Sequence, residues 1–296
     1  MGLNIDGTRF LLHARARGVN FERAAMIGRQ ALHLQRVELR RCFEAFGRPI
    51  DAATAESIFT RTQGFAEQLL KELGANEVHS FDYSPFEGAT HVHSMNVPVP
   101  EQFKERYTVV LDGGSLEHVF DFPTAIKNCM QMVEVGGHYL AITPANNFVG
   151  HGFYQFSPEL FFSVFTPENG FELTRMIAYE DVAGAPWYAV RSPREVADRV
   201  TLINSEPVYL LIIAKKIART EIFATQPLQS DYVAVWDKTA ASGKQLPAAI
   251  KGQSLLVSVI KRLPPSMRRV LRMLRRCFVP AFDRRFYAPI VPERGE

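Results

Sequence analysis

Cysteine is scarce: Cys42, Cys129 and Cys277 are the only three in 296 residues, and no two form a C-x-x-C pair. That spacing supplies neither a disulfide framework nor a structural zinc site, and it fits a reducing compartment. Long apolar runs are missing as well. None approaches the ~18 residues of a spanning helix, so no membrane-crossing segment is expected. The first fifteen residues hold no apolar core of the signal-peptide kind, and a cytoplasmic location is the expectation. Met1-Gly2 opens like a myristoylation site, but Asp6 stands where Ser or Thr is needed. No G-x-G-x-x-G follows the first apolar strand, which argues against a nicotinamide-linked oxidoreductase.

What is present is a chain that is 47% hydrophobic and 22% charged, enough for a sizeable core in one or two domains. The net charge of +3 is unevenly spread. Residues 261 to 285 carry nine Lys or Arg and a single acid, Asp283, a balance of +8 that leaves the rest of the chain at about −5.

The most informative stretch runs from Tyr107 to Glu159. Tyr107 to Leu111 is a short β-branched apolar run closed by Asp112, which reads as a buried strand. Gly113 and Gly114 break it. Phe122, Ala125, Ile126, Cys129, Met130 and Val133 then recur at helical spacing, up to a stop at Gly136-Gly137. A second apolar strand, His138 to Thr143, ends at Pro144. Strand, helix and strand make a βαβ unit, which favours a right-handed crossover in a parallel sheet. Ligands of open α/β sheets bind at the carboxyl ends of strands. Here those ends carry Asp112-Gly-Gly-Ser-Leu-Glu-His-Val119 and Thr143-Pro-Ala-Asn-Asn147, a polar set that apolar packing does not require.

These residues resemble a known family. A strand ending in Asp, then Ser-Leu-Glu-His-Val, a helix, and Val-Gly-Gly-His-Tyr-Leu is similar to the second half of a class I, Rossmann-like S-adenosylmethionine-dependent methyltransferase. The likeness covers roughly residues 60 to 215. It implies an α/β fold: a doubly wound, mostly parallel seven-stranded sheet with helices on both faces and an antiparallel last strand. The strands would be Arg23–Gly28, Glu77–Asp82, Thr90–Met95, the two described above, Phe171–Tyr179 and Pro207–Lys215. Residues 1 to 217 would form this domain, with Phe10, Leu11 and Leu12 anchoring a short helix or lid near its start. An insertion at about 29–62 holds an amphipathic helix from Val37 to Phe46, and a further helix follows from Gln63 to Leu73.

The resemblance also implies S-adenosylmethionine as cofactor. Gly28, Asp82, Asn96, Asp112 and Gly113 stand where the family holds it, Asp82 on the ribose hydroxyls and Asn96 near the adenine. The first turn departs from the family. It reads Ile27-Gly28-Arg29-Gln30-Ala31, with one glycine where two or three are usual. Gly28 therefore also reads as a simple chain turn, and Asp82 as an Asx-turn or cap before Pro85. Transfer to oxygen or nitrogen needs a base. His118 is the first candidate and His151 the second, with Glu117 to orient a histidine; alternatively Glu117-His118 only orders the strand end. The acid that would complete a cation site three residues before Glu117 is Gly114 here, so no metal is expected. Asn146, Asn147, Tyr154 and Gln155, in a glycine- and aromatic-rich loop, are candidates for the acceptor pocket or members of an aromatic hinge.

Two functions follow. One is a methyltransferase acting on a small molecule or, by resemblance, a sugar or glycan. The other is a methyltransferase-like binding or scaffold protein without cofactor. Residues 218–260 read as a polar connector. Within 261–296, Met267, Val270, Leu271, Leu274 and Phe278 share one helical face and five arginines the other. Residues 261–286 could meet an anionic membrane or a protein partner. Nucleic acid is not expected, since no reading motif accompanies the charge.

Overall fold

The computed structural model describes residues 2–196, 198–230, 232–233, 264, 267 and 281–294. A short strand β1 (Gly2–Leu3) leads into α1 (Ile5–Ala16), whose first turn is capped by Asn4, its Oδ1 accepting the Gly7 amide at 2.9 Å. Then come β2 (Arg23–Ile27), β3 (Ala31–Leu32), α2 (Arg36–Ala45), α3 (Ala52–Thr60) and α4 (Glu67–Glu72). The βαβ core follows as β4 (Glu77–Asp82), β5 (His91–Val92), β6 (Tyr107–Asp112), α5 (Phe122–Met132) and β7 (Val133–Asn146). The chain continues through α6 (Pro158–Val164), β8 (Phe171–Glu180), β9 (Trp187–Val190), α7 (Pro193–Val196), β10 (Val208–Lys216) and β11 (Tyr287–Ile290).

Among the described residues nine strands form one sheet in the order β5-β4-β2-β6-β7-β10-β8-β9-β11, while β1 and β3 pair separately and in parallel. From β5 to β7 every pairing is parallel, and β10 lies antiparallel between β7 and β8. Alternate residues face opposite sides. Ala25, Ile27, Val110, Tyr139 and Ala141 pack with α5 and α6. Ala24, Met26, Val109, Leu111, Leu140 and Ile142 pack with α1 to α4. Helices therefore cover both faces. This is the doubly wound, Rossmann-like arrangement that the resemblance implies, with β10 (Val208–Lys216) as the expected antiparallel strand.

Several expectations need correction. The sheet has nine strands among the described residues rather than seven, because β9 and β11 extend the β8 edge. The Thr90–Met95 strand shrinks to His91–Val92, since the Thr90 amide and hydroxyl bond Ser80 side on rather than continuing a ladder. The Gln63–Leu73 helix begins only at Glu67, and α3, not foreseen, precedes it. Gly136-Gly137 does not stop α5. The helix ends at Met132, and Val133 already pairs with Tyr107 in β7. The two glycines form a bulge instead, and a Cβ on Gly137 would lie 2.8 Å from the Thr108 carbonyl oxygen.

Phe10, Leu11 and Leu12 are buried, so α1 belongs to the core and is no lid. The end of the chain also joins the domain. Arg9 pairs with Glu293 at 2.7 Å, and His13 Nδ1 lies 2.8 Å from the Pro292 carbonyl. Most of the connector and of the segment around 266–278, where a basic amphipathic helix is expected from the sequence, lie outside the described residues.

Candidate active site

The carboxyl ends of β2, β4, β6 and β7 lie on one edge of the sheet, and the polar residues singled out from the sequence cluster along it. At the end of β2, Gly28 turns with φ +70° while its amide donates to the Phe81 carbonyl at 2.8 Å. The next two side chains part company. Arg29 stacks over Phe65 at 4.0 Å and pairs with Glu67 at 2.6 Å. Gln30 turns inward and is wholly buried. Its Nε2 donates to the Ile27 carbonyl at 2.8 Å and lies 3.3 Å from Ser115 Oγ, while its Oε1 has no partner. A Cβ on Gly113 would stand 2.5 Å from that Oε1, so Gly113 is bare because the Gln30 amide fills the space beside it.

Asp82, at the end of β4, accepts the Ser84 amide at 3.1 Å through Oδ1, the Asx-turn that the sequence left open. Asn96 accepts the Asp121 amide at 2.9 Å and so ties the β5 loop to the start of α5. Asp112 is fully buried. Its Oδ1 accepts the Ser115 and Leu116 amides at 2.8 and 3.3 Å, and its Oδ2 accepts the Tyr139 hydroxyl at 3.2 Å. Burial pushes this carboxyl up to about 6 despite the three donors.

These donors wind residues Leu116–His118 into a single 3-10 turn. Glu117, in its middle, has no solvent exposure, and among the described residues neither carboxylate oxygen has a hydrogen-bond partner. Burial, then the Asp112 charge, pushes it up to about 8. The loop after β7 folds over this turn. The Phe153 and Tyr154 amides both donate to the Glu117 carbonyl, at 2.8 and 3.2 Å, and Gly152 passes so close that a Cβ would lie 2.9 Å from the same oxygen. His151 Nε2 thereby comes within 3.5 Å of Glu117 Oε1, and the His118 and His151 rings lie 5.2 Å apart. Burial and the neighbouring His151 hold His118 below the usual imidazole range. One donor atom from each of Glu117, His118 and His151 falls within 4.8 Å of the others.

The remaining candidates serve the loop itself. Tyr154 donates its hydroxyl to the Phe120 carbonyl at 2.6 Å, and Gln155 Oε1 accepts the Phe148 amide at 2.7 Å. Asn146 and Asn147 turn toward the approach to β10, donating to Asn204 Oδ1 at 2.9 Å and to the Glu206 carbonyl at 2.8 Å respectively. Sequence reasoning brought out the Glu117-His118 pair and His151 separately and did not place them together. It missed Gln30, Ser115 and Tyr139. Gln30 had a signal, since it stands where a second glycine of the first turn is usual.

The sheet order, with polar residues gathered at the carboxyl edge of its parallel strands, is that of a Rossmann-like α/β fold. No protein-family model matches the chain, and no curated protein matches it. Among solved structures it is similar to a proposed methyltransferase from Bacillus halodurans, at 10% identity over 71% of this chain and 99% of that one, with a TM-score of 0.36. A proposed sarcosine dimethylglycine methyltransferase from Galdieria sulphuraria is 10% identical over 72% of this chain and 86% of that one, TM-score 0.40. The branched-chain polyamine synthase of Thermus thermophilus is 12% identical over 75% of this chain and 59% of that one, TM-score 0.36. Likenesses this loose assign no role to any residue of this chain.

Proposed function

We propose that the chain is an S-adenosylmethionine-dependent methyltransferase acting on a small-molecule acceptor, with sugars and glycans as the acceptor class suggested by resemblance. The observation that carries this reading is the placement of Asp82, the Asp112-Gly113 turn and the Glu117-His118-His151 cluster along one carboxyl edge of a Rossmann-like sheet. The cofactor supplies an electrophilic methyl group on a sulfonium. Gly28 and Gly113 offer bare backbone, Asp82 engages only one carboxylate oxygen in its turn, and Gln30 Oε1 is a buried acceptor without a donor. Those acceptors fit a ligand rich in hydroxyl and ammonium donors.

On the acceptor side, burial and then the neighbouring His151 hold His118 below the usual imidazole range, which favours the neutral ring a general base needs. His151 is the second base, with Glu117 behind it. Asn146, Asn147, Tyr154 and Gln155 set the loop that walls the acceptor side. Displacement at a methyl group depends on alignment above all, and the loop's ties to the Glu117 carbonyl fix the two histidines relative to the sheet edge.

One observation favours a second reading. The Gln30 side chain occupies the turn where cofactor-bound relatives are expected to show bare glycine, which suits a methyltransferase-like binding or scaffold protein that has given up the cofactor. Calorimetric titration of the purified chain with S-adenosylmethionine and S-adenosylhomocysteine separates the two. Binding in the micromolar range that is lost in Asp82→Ala supports the enzyme. No binding of either compound leaves the scaffold reading.

A partner role for residues 261–286 is part of the proposal. No helix among the described residues is long and apolar enough to cross a membrane. The basic segment is proposed to meet anionic lipid peripherally or to dock a protein. Replacing the arginines at 268, 269, 272, 275 and 276 by glutamate, which keeps β11 in the sheet, should then abolish binding to anionic vesicles, and unchanged binding would discard the lipid role.

A further inference from the structure

Glu117 is a buried carboxyl whose two oxygens find no hydrogen-bond partner among the described residues, ionised or protonated. His151 does not supply one, because 3.5 Å is too long for a hydrogen bond. The Ser115 and Leu116 amides go to Asp112, the His118 amide to the Ser115 carbonyl, and the Phe153 and Tyr154 amides to the Glu117 carbonyl, so none of these is spent on the carboxyl.

We infer that Glu117, His118 and His151 form a binding site for one divalent transition-metal ion. Two imidazoles and one carboxylate are a donor set that zinc, manganese, iron and cobalt all accept, and three protein ligands leave a position open for water or substrate. The spacing suits it. Bonds of about 2.0–2.1 Å at tetrahedral angles put donor atoms roughly 3.3–3.5 Å apart. The Glu117–His151 separation of 3.5 Å already has that value, and all three donor atoms lie within 4.8 Å.

The scaffold around the site is built to hold it. Glu117 and His118 sit on one 3-10 turn that Asp112 anchors through two amides. His151 comes from the loop after β7, and that loop is fastened to Glu117 itself by the Phe153 and Tyr154 amides. Gly152 allows the fastening, since a Cβ there would strike both the Glu117 carbonyl at 2.9 Å and His118 Nδ1 at 3.0 Å. On the other side Gly114 passes Glu117 Oε1 so closely that a Cβ would lie 3.2 Å away, leaving that flank without a side chain. The expectation of no metal considered only Glu117 and His118 with Gly114 upstream. The tertiary fold supplies the third donor from downstream.

An ion held here sits at the mouth of the proposed acceptor site and would replace His118 and His151 as the activating group, because their imidazoles would then be ligands and not bases; it would polarise a hydroxyl or a bound water. The site does not rest on the methyl-transfer reading, because the ion can be titrated without cofactor or acceptor. The test is calorimetric titration of the metal-stripped full chain with zinc, with manganese and with cobalt, the cobalt complex also read by its visible absorption. One ion per chain is expected for at least one metal. Affinity should fall at least tenfold in His151→Ala, in His118→Ala and in Glu117→Gln, and stay unchanged in His33→Ala, an exposed histidine outside the site. Since Glu117→Gln alters a buried group, the exposed His151→Ala is the deciding variant, with its fold verified by circular dichroism. Unchanged affinity in both histidine variants, or uptake of none of the three metals, overturns the site.

Discussion

Tyr139, in the middle of β7, donates its hydroxyl to Asp112 Oδ2 at the end of β6, 3.2 Å away and sealed from solvent. The contact joins two neighbouring parallel strands through their side chains just beneath the turn that carries Glu117 and His118. Removing it should disturb that turn before it disturbs the sheet. Tyr139→Phe leaves a buried carboxylate oxygen unpaired, so a loss of about 1–3 kcal/mol is expected in urea unfolding, with the sheet retained by circular dichroism. A change below a few tenths would show that Asp112 is satisfied by Ser115 and Leu116 alone.

The Glu117–Asp112 pair has a pH signature. Burial raises Glu117 to about 8 and Asp112 to about 6, whereas in the unfolded chain both ionise near about 4. Over that interval the folded protein holds more protons than the unfolded chain, so stability falls as pH rises. His138 acts in the opposite sense. Burial lowers it to about 4, so its contribution is present above about 6.5 and is lost as pH falls below that value. The window from about 6.5 to 8 therefore reports Glu117. With chelator present, the urea midpoint should drop across it, and Glu117→Gln should flatten the drop. Equal slopes in the two proteins would assign the protons elsewhere.

Gly113 and Gln30 should be energetically coupled. Gly113→Ala forces the Gln30 amide off the Ile27 carbonyl, which should cost about 1–2 kcal/mol. In a Gln30→Ala background there is nothing left to displace, and the same substitution should cost little. A coupling energy of roughly 0.5–3 kcal/mol from the double-mutant cycle is the expected result, and additivity would refute the contact.

The two glycines of the β7 bulge should behave differently. Gly137→Ala places a methyl 2.8 Å from a backbone carbonyl that cannot step aside, and about 1–3 kcal/mol of overpacking follows. Gly136 faces open space at φ +89°, so Gly136→Ala carries only the left-handed backbone penalty of about 1–2 kcal/mol. Thermal unfolding of the two variants ranks them, and a lower melting temperature for Gly136→Ala would contradict the bulge geometry.

Much of the sheet was legible beforehand because its strands are local signals. Glu77–Asp82 matched to the residue, and β6, β8 and β10 matched to within a residue or so, since each is a continuous or alternating apolar run between breakers. The misread elements were those whose ends depend on a distant partner. Val133 has helical spacing behind it, yet pairing with Tyr107 draws it into β7. Trp187 and Tyr287 lie far apart in the chain, and only the free edge of β8 makes strands of their segments.

The site divides along the same line. The sequence by itself determined the polar punctuation at the strand ends: Gly28, Asp82, Asp112-Gly113 and Glu117-His118, because glycine and charge at the close of an apolar run are local chemical facts. Tertiary structure alone decided what those residues face. It turned Gln30 into the space beside Gly113, sealed Asp112 under Tyr139 and left Glu117 with no donor. It also carried His151 to Glu117 by folding a separate loop onto one backbone carbonyl. The reason is physical: burial and pairing depend on atoms that are close in space, and spacing along the chain does not encode which distant atoms those will be.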